Sequence, residues 1–185
     1  YSRSFLKQEK TSYDLIVFSL TDVFGATGTG LYGFSENYLY TIDSFVHILN
    51  RLSPQGLVSI SFYLLPPPRQ EARILATWIE ALEKIKMEPA SRIVAIRSWG
   101  TISFFIKKSP FSAPEIQKVK NFAEKCFFDL VYYPGIKSEE VNIHNKFEKP
   151  IYYNLSLQLL SPLERKKLYK NYLFEINPVT DNSPF

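Results

Sequence analysis

Four short runs of apolar residues along the chain have the length and composition of β-strands. They cover residues 14–20, 57–65, 92–97 and 102–107. The first run is almost uninterrupted by polar residues, which is typical of a strand that helices cover on both faces. The last two runs are separated only by residues 98–101, a spacing that predicts a β-hairpin.

Between these runs the apolar positions take on a helical period. One set predicts a helix over residues 42–53, and its members are Phe45, Ile48, Leu49 and Leu52. Thr41 is available to cap the start of this helix, and Gly56 follows its end. A second set predicts a helix from residue 72 to about residue 85, after the three prolines at 66–68 have ended the strand.

The order of these elements predicts an α/β fold. Strand, helix, strand, helix and strand in succession imply right-handed crossovers between parallel strands, and the hairpin adds one antiparallel strand at the edge. The arrangement is typical of the second half of an open Rossmann-like sheet. We therefore predict a sheet domain over residues 1–109 and a mainly helical appendage over residues 110–185.

Within the predicted appendage, the pattern indicates two helices and one strand. Ser112 can cap a helix over residues 113–127, and residues 129–133 have the character of a short strand. A loop-rich stretch follows to about residue 151. The segment Ser161-Pro162-Leu163-Glu164 has the sequence of a capping box with proline at the first helical position, which predicts a helix to about residue 173.

Composition agrees with a globular domain. The chain has 185 residues, 45% of them hydrophobic and 16% aromatic, which excludes a disordered tail or a coiled coil. No apolar run approaches the length that spans a bilayer, so no membrane segment is predicted, and the expected location is the cytoplasm or the cytoplasmic face of a membrane. Because the sequence begins at Tyr1 without methionine or a signal peptide, we expect it to be a fragment of a longer parent protein.

Charge, cysteine and histidine exclude several kinds of site. The formal net charge is +4, but the basic residues are scattered, which predicts a solvated surface and no nucleic-acid partner. Cys126 is the only cysteine, so there is neither an internal disulfide nor a cysteine-rich metal site. His47 and His144 are the only histidines and lie far apart in sequence, so no metal site and no Ser-His-Asp triad is predicted.

Four of the seven glycines lie in one loop after the first strand: Gly25, Gly28, Gly30 and Gly33. Residues 28–33 satisfy the letters of the GxGxxG dinucleotide fingerprint. The predicted strand ends eight residues too early, however, and no acidic residue ends the next strand. The sequence therefore favours a gate loop at the carboxyl edge of the sheet over a phosphate cradle.

Polar residues around this loop are the candidates for chemistry. Ser19, Thr21 and Asp22 come at or just after the end of the first strand; Asp22 could act as a base, hold an amine or simply cap a turn. Glu36, Asn37 and Tyr38 precede the next helix and could line the same crevice or cap the helix entry. Trp99 follows a later strand, as a pocket wall or an aromatic plug.

These residues carry a family resemblance. The segments YDLIVFSLTDVFG and ENYLYTIDSFVHILNRLSPQGLVSISF resemble the second half of the spermidine synthase family of polyamine aminopropyltransferases, and the match covers about residues 3–107. The resemblance implies a class I methyltransferase-type Rossmann fold. The tail over residues 178–185 is similar to a bacterial spermidine synthase-like group whose longer members often carry membrane segments upstream.

Departures from the family pattern limit what the resemblance implies. The family strand ends in Asp-x-x-Asp, whose first aspartate is the base; here that position is Ser19, and Asp22 keeps the second acid. A tyrosine that helps bind the amine corresponds by position to Trp99. Both departures argue against putrescine as the acceptor.

The resemblance also implies a donor. It points to S-adenosylmethionine or its decarboxylated form as the cofactor of the parent protein. The glycine-rich nucleotide motif of the fold is not in this sequence, so we expect the isolated chain to bind the donor weakly or not at all.

Two function classes stay open at this point. The first is a transferase that moves an aminopropyl or methyl group to a small-molecule acceptor. The second is a non-catalytic domain that keeps the fold for association or regulation, with the aromatic pairs at 132–133 and 152–153 as an interface or as core packing. An unpaired edge of the sheet could also make the chain a homodimer.

Overall fold

The computed structural model of the protein describes residues 11–20 and 38–183. Five strands form one sheet: β1 (Tyr13–Phe18), β2 (Leu52–Tyr63), β3 (Ile93–Arg97), β4 (Thr101–Lys107) and β5 (Asp129–Tyr132). The described residues also contain five α-helices: α1 (Ile42–Arg51), α2 (Gln70–Lys84), α3 (Ala113–Lys125), α4 (Ile151–Leu160) and α5 (Pro162–Asn171). Short 3₁₀ turns lie at Tyr38–Tyr40 and Ser138–Glu140. The predicted α/β class is confirmed.

The strands lie in the order β1-β2-β4-β3-β5. β1 and β2 are joined through α1 and pair in parallel, with Ile16 opposite Val58. β4 is antiparallel to both β2 and β3, so β3 runs in the same direction as β1 and β2 without touching them. The predicted hairpin is confirmed, but the prediction that its antiparallel strand forms the edge is wrong. The edge strand next to β3 is β5, whose residues belong to the predicted appendage.

The reason for this order lies in the two connections of β3. The turn from Ser98 to Gly100 is too short for anything but an antiparallel return, so β4 must lie beside β3. The longer crossover through α2 leaves a gap one strand wide between β2 and β3, and β4 fills it, pairing along seven residues of β2. The division into domains at residue 109 stays a prediction.

One face of the sheet carries the core. Val58, Ile60 and Phe62 alternate inward from β2, as the period of a strand requires. Helices α1, α2 and α4 cover this face, and the ring of Phe45 on α1 stacks on Trp78 of α2 with centroids 3.7 Å apart. Burial of this face is the main favourable contribution to the fold.

The other face is less covered than the sequence predicts. Ile16 and Phe18 of β1 pack against the core, but Leu15 and Val17 point the opposite way and are 55% and 61% exposed. The expectation of helices on both faces of this strand is therefore wrong for the part of the chain that the structure describes. β3, in contrast, is buried along its whole length.

Helix ends follow local chemistry in one case and depart from it in another. Thr41 caps α1 as predicted, since its hydroxyl oxygen accepts a hydrogen bond from the backbone N–H of Ser44 at 3.3 Å. Ser161 begins α5 with Pro162 at the first helical position, but its side chain makes no capping hydrogen bond, so the predicted capping box is not formed. Helix α4 was not predicted.

Gly56 has a role that its position after α1 does not suggest. It lies inside β2, which already begins at Leu52. A Cβ atom at Gly56 would come within 2.8 Å of the carbonyl oxygen of Tyr13. Glycine therefore allows β1 and β2 to approach where their register shifts, between Tyr13 and Leu15.

Candidate functional site

The carboxyl ends of β1, β2 and β3 meet at one edge of the sheet, because the three strands run in the same direction. Ser19 follows β1, Leu64 follows β2, and the turn from Ser98 to Gly100 follows β3. The backbone N–H of Leu64 donates a hydrogen bond of 2.9 Å to the carbonyl oxygen of Gly100, which connects the end of β2 to the turn after β3. Ligands of open α/β sheets bind at this edge.

Three of the predicted site residues lie on this edge within the described residues. Ser19 is exposed directly after β1. Tyr38 is 40% exposed, two residues before Tyr40, whose ring packs between Phe18 and Phe62 at the ends of β1 and β2. Ser19 and Tyr38 are thus brought to the same side of the edge.

Trp99 is on the edge but apart from these two. It occupies the turn between β3 and β4, so β2 and β4 separate it from β1. Its side chain is 76% exposed. The turn itself is well defined, since the Ser98 hydroxyl bonds to the hydroxyl of Thr101 at 2.8 Å and accepts from the Thr101 N–H at 3.1 Å. The roles of Trp99 as pocket wall or plug both stay predictions.

The remaining predicted residues lie outside the described part of the chain. They are Thr21, Asp22, Gly25, Gly28, Gly30, Gly33, Glu36 and Asn37. Their roles as catalytic acid, substrate contacts and gate loop stay predictions.

A buried carboxylate near the end of β2 was not predicted. Glu71, in the first turn of α2, accepts hydrogen bonds from the backbone N–H groups of Leu65 at 3.3 Å and Arg69 at 3.2 Å and from the phenol of Tyr152 at 3.1 Å. Burial raises the pKa of Glu71, and these hydrogen bonds offset only part of the rise. The acid in the first turn of a helix was a visible signal, but its bond to Tyr152 spans 81 residues.

A second buried polar cluster lies where β3 meets β5. Arg97 and Asp129 face each other with 3.2 Å between nitrogen and oxygen, and both side chains are almost fully buried. The same guanidinium donates to the amide oxygen of Asn142 at 3.0 Å and lies over the ring of Phe147 at 4.5 Å. Burial lowers the pKa of Arg97, and Asp129 partly restores it.

The loop after β5 closes around the carboxylate of Asp129. Its two oxygens accept the backbone N–H groups of Ile143 at 2.6 Å, His144 at 2.9 Å and Asn145 at 2.8 Å. Burial alone would raise the pKa of Asp129, but these N–H groups and the Arg97 guanidinium hold it below its ordinary value. All its partners are therefore internal, which makes this cluster a clamp between loop and sheet.

Comparisons with known proteins leave the family open. No known family profile matches the chain. No curated protein matches it in sequence. Among solved structures, it is similar to a probable spermidine synthase from Corynebacterium glutamicum ATCC 13032, with a TM-score of 0.42 and 16% identity over 65% of this chain. The chain spans only 42% of that protein. A likeness this distant carries no argument, so function is argued from the residues.

The described residues do not by themselves fit an adenosyl donor. The edge offers the hydroxyl of Ser19, the phenol of Tyr38 and the indole of Trp99, all of them exposed. Ser19 and Tyr38 lie at the β1 end of this edge, and β2 and β4 separate them from Trp99. Within residues 11–20 and 38–183, the buried side-chain polar atoms without a partner belong to helices, at Ser44, Trp78, Arg165 and Tyr169. None of these residues follows a strand. Donor binding stays a prediction for the longer protein.

Among the described residues, no three His, Cys, Asp or Glu side chains form a group that could hold a metal ion. None of the helices in that part of the chain combines the length and the hydrophobicity of a membrane span.

Proposed function

We propose that this chain is part of a spermidine synthase-like transferase, which moves an aminopropyl or methyl group from a donor of the S-adenosylmethionine type to a small-molecule acceptor other than putrescine. The motifs around Tyr13-Asp14, residues 19–23 and residues 52–56 support this proposal by their resemblance to that family. The acceptor differs because Ser19 stands where the family has its base.

One observation carries the proposal. The parallel pairing of β1 with β2 through α1 sends the chain after Phe18 out at the carboxyl edge of the sheet. Asp22 follows only four residues later. The turn Tyr38–Tyr40 returns to the same edge before α1 begins. In sequence, Asp22 therefore lies between the two segments that reach this edge, four residues after Phe18 and 16 residues before Tyr38.

The proposed roles follow from the reaction class. Transfer from a sulfonium donor depends mainly on positioning, because the sulfur is already a good leaving group. Asp22 orients the acceptor amine or takes its proton. Tyr38 and Trp99 wall the acceptor pocket, with Ser19, Thr21, Glu36 and Asn37 as further contacts. The loop with Gly25, Gly28, Gly30 and Gly33 closes over it.

Replacement of Asp22 by asparagine in the full-length protein tests these roles. We expect kcat/KM for transfer to fall about a hundredfold, because loss of a positioned acid or base has effects of that order. Asp43→Asn is the matched control: it removes a surface carboxylate paired with Lys84 in the first turn of α1, and activity should stay unchanged. Equal activity of the Asp22 variant and the wild type would contradict the assignment.

A second candidate is a non-catalytic domain that serves association. The observation that favours it is the exposed face of β1, where Leu15 and Val17 lie side by side on the sheet. An apolar strand face at a sheet edge is suited to a second copy of the chain. This candidate does not need a carboxylate at position 22.

The association candidate predicts a concentration-dependent dimer. Leu15→Lys together with Val17→Lys should convert the dimer to a monomer, because four lysines would otherwise be buried in the interface. Light scattering with size-exclusion chromatography measures the mass. Leu163→Lys with Leu173→Lys changes two leucines elsewhere that are still more exposed than Leu15 and Val17, and it should leave the dimer intact. A monomeric wild-type protein would refute this candidate.

A further inference from the structure

The outward face of α5 combines lysine and leucine. Lys166, Lys167 and Lys170 are exposed and follow Leu163 at helical spacing, on one face of the helix. Leu163 is 68% exposed, and Leu173, just beyond the helix end, is 79% exposed. Leu163 lies in the first turn of the helix and Leu173 lies two residues beyond its end at Asn171, so the lysines lie between the two leucines in sequence.

Positive charge is concentrated in this part of the chain. Residues 149–173 contain five basic residues and one acidic residue, an excess of four that equals the formal net charge of the whole protein. The acidic residue, Glu164, is engaged with Lys167 at 2.9 Å. In the part of the chain that the structure describes, Lys166 and Lys170 have no acidic partner within salt-bridge distance.

The inner face of α5 holds the helix firmly on the domain. Arg165 is buried and its guanidinium donates to both carboxylate oxygens of Glu83, at 2.7 and 3.0 Å. Leu168 and Tyr169 pack against the core, and the phenol of Tyr172 donates to the carbonyl of Pro68 at 2.8 Å. The helix that carries Leu163 and the three lysines is therefore held in place on the domain and needs no folding on binding.

We propose that this face of α5 binds the surface of an anionic lipid bilayer. The lysines would lie against the lipid headgroups, and Leu163 and Leu173 would enter the boundary between headgroups and acyl chains. Nucleic acid would satisfy the lysines, but it would leave the two most exposed leucines of this surface in water. The bilayer accounts for both. This inference is independent of the transfer reaction.

Vesicle co-sedimentation of the 185-residue chain tests the proposal. One set of vesicles is phosphatidylcholine alone, and the other contains about 30 mol % phosphatidylglycerol in about 0.1 M salt. We expect binding to the anionic vesicles and its loss in about 0.5 M salt. Lys166→Gln with Lys170→Gln should lower the partition coefficient about twenty-five-fold, at roughly fivefold per lysine.

Matched variants distinguish binding through this face from binding that depends only on net charge or on non-specific hydrophobic adsorption. Lys118→Gln with Lys125→Gln removes the same charge from exposed positions of α3 and should leave binding within about twofold of wild type. Leu163→Ser with Leu173→Ser should also weaken binding while the charge is unchanged. Circular dichroism checks that each variant is folded.

Three outcomes would overturn the proposal. The first is no binding to the anionic vesicles, and the second is equal binding to both kinds of vesicle. The third is an equal loss of binding in the α3 and α5 lysine variants. Binding of a DNA duplex that depends on Lys166 and Lys170 but not on Leu163 and Leu173, without vesicle binding, would assign the face to nucleic acid instead.

Discussion

Asp129→Asn is expected to lower the free energy of unfolding by about 3–5 kcal/mol. Arg97 is 4% exposed, and removal of its anionic partner leaves a positive charge buried without compensation. An asparagine amide would also turn its N–H₂ group towards the backbone N–H groups of residues 143–145, which all donate to this side chain. Because these N–H groups would then face another hydrogen-bond donor, the substitution should destabilise the fold further.

Urea denaturation followed by circular dichroism measures this loss. Asp43→Asn is the control. Its pair with Lys84 is shorter than the Arg97–Asp129 pair, at 2.6 Å against 3.2 Å, but roughly half exposed, so its loss should change stability by less than about 1 kcal/mol. Similar losses for the two variants would show that the Arg97–Asp129 pair is not the clamp described above.

The same pair makes stability depend on acid. The pKa of Asp129 is lower in the folded chain than its ordinary value of 3.8, so its contribution is complete above about pH 4. It is lost as the pH falls through the lower, folded value, because the carboxylate must then be protonated. In Asp129→Asn, the free energy of unfolding should therefore fall less steeply with decreasing pH than it does in the wild type.

Glu71→Leu is the second substitution with a large expected effect, about 3 kcal/mol of destabilisation. The change leaves the N–H groups of Leu65 and Arg69 and the phenol of Tyr152 without their acceptor in a buried site. The bond to Tyr152 joins α4 to the first turn of α2, so its loss should loosen α4 first. Hydrogen exchange of the α4 amides, together with urea denaturation, measures both effects.

Glu71→Gln is the matched variant, since it keeps one acceptor oxygen and the shape of the side chain. Because burial raises the pKa of Glu71 above 4.5, its contribution to stability is complete at low pH and is lost as the pH rises through the folded value. The glutamine variant should therefore be less sensitive to pH in that range. A glutamine variant as unstable as Glu71→Leu would contradict the acceptor role.

Local pattern was enough to predict most elements of the fold. The spacing of Phe45, Ile48 and Leu49 and the cap at Thr41 led to α1 because they are properties of one short segment. The position of β4 between β2 and β3 could not be predicted in this way, since it depends on pairing with residues of β2 that lie 38 to 50 positions away. The bare face of Leu15 and Val17 has the same origin, because neighbouring elements decide whether a strand is covered.

The candidate site was only partly accessible to sequence reasoning. Ser19 and Tyr38 lie at the predicted edge, because the direction of β1 follows from its crossover to β2. Glu71 and Asp129 were missed because their burial comes from residues far along the chain, Tyr152 in the first case and Arg97 in the second. The position of Glu71 in the first turn of a helix was a visible signal, but it does not show that the side chain is buried, and the sequence next to Asp129 offers no such signal.

Donor binding by the full-length protein tests the proposed function most directly. Titration calorimetry with S-adenosylmethionine, its decarboxylated form and methylthioadenosine is the measurement. We predict a dissociation constant between about 1 μM and 1 mM for at least one of them, with binding to the isolated 185-residue chain much weaker or lost. No heat of binding from any of the three with the folded full-length protein would contradict it.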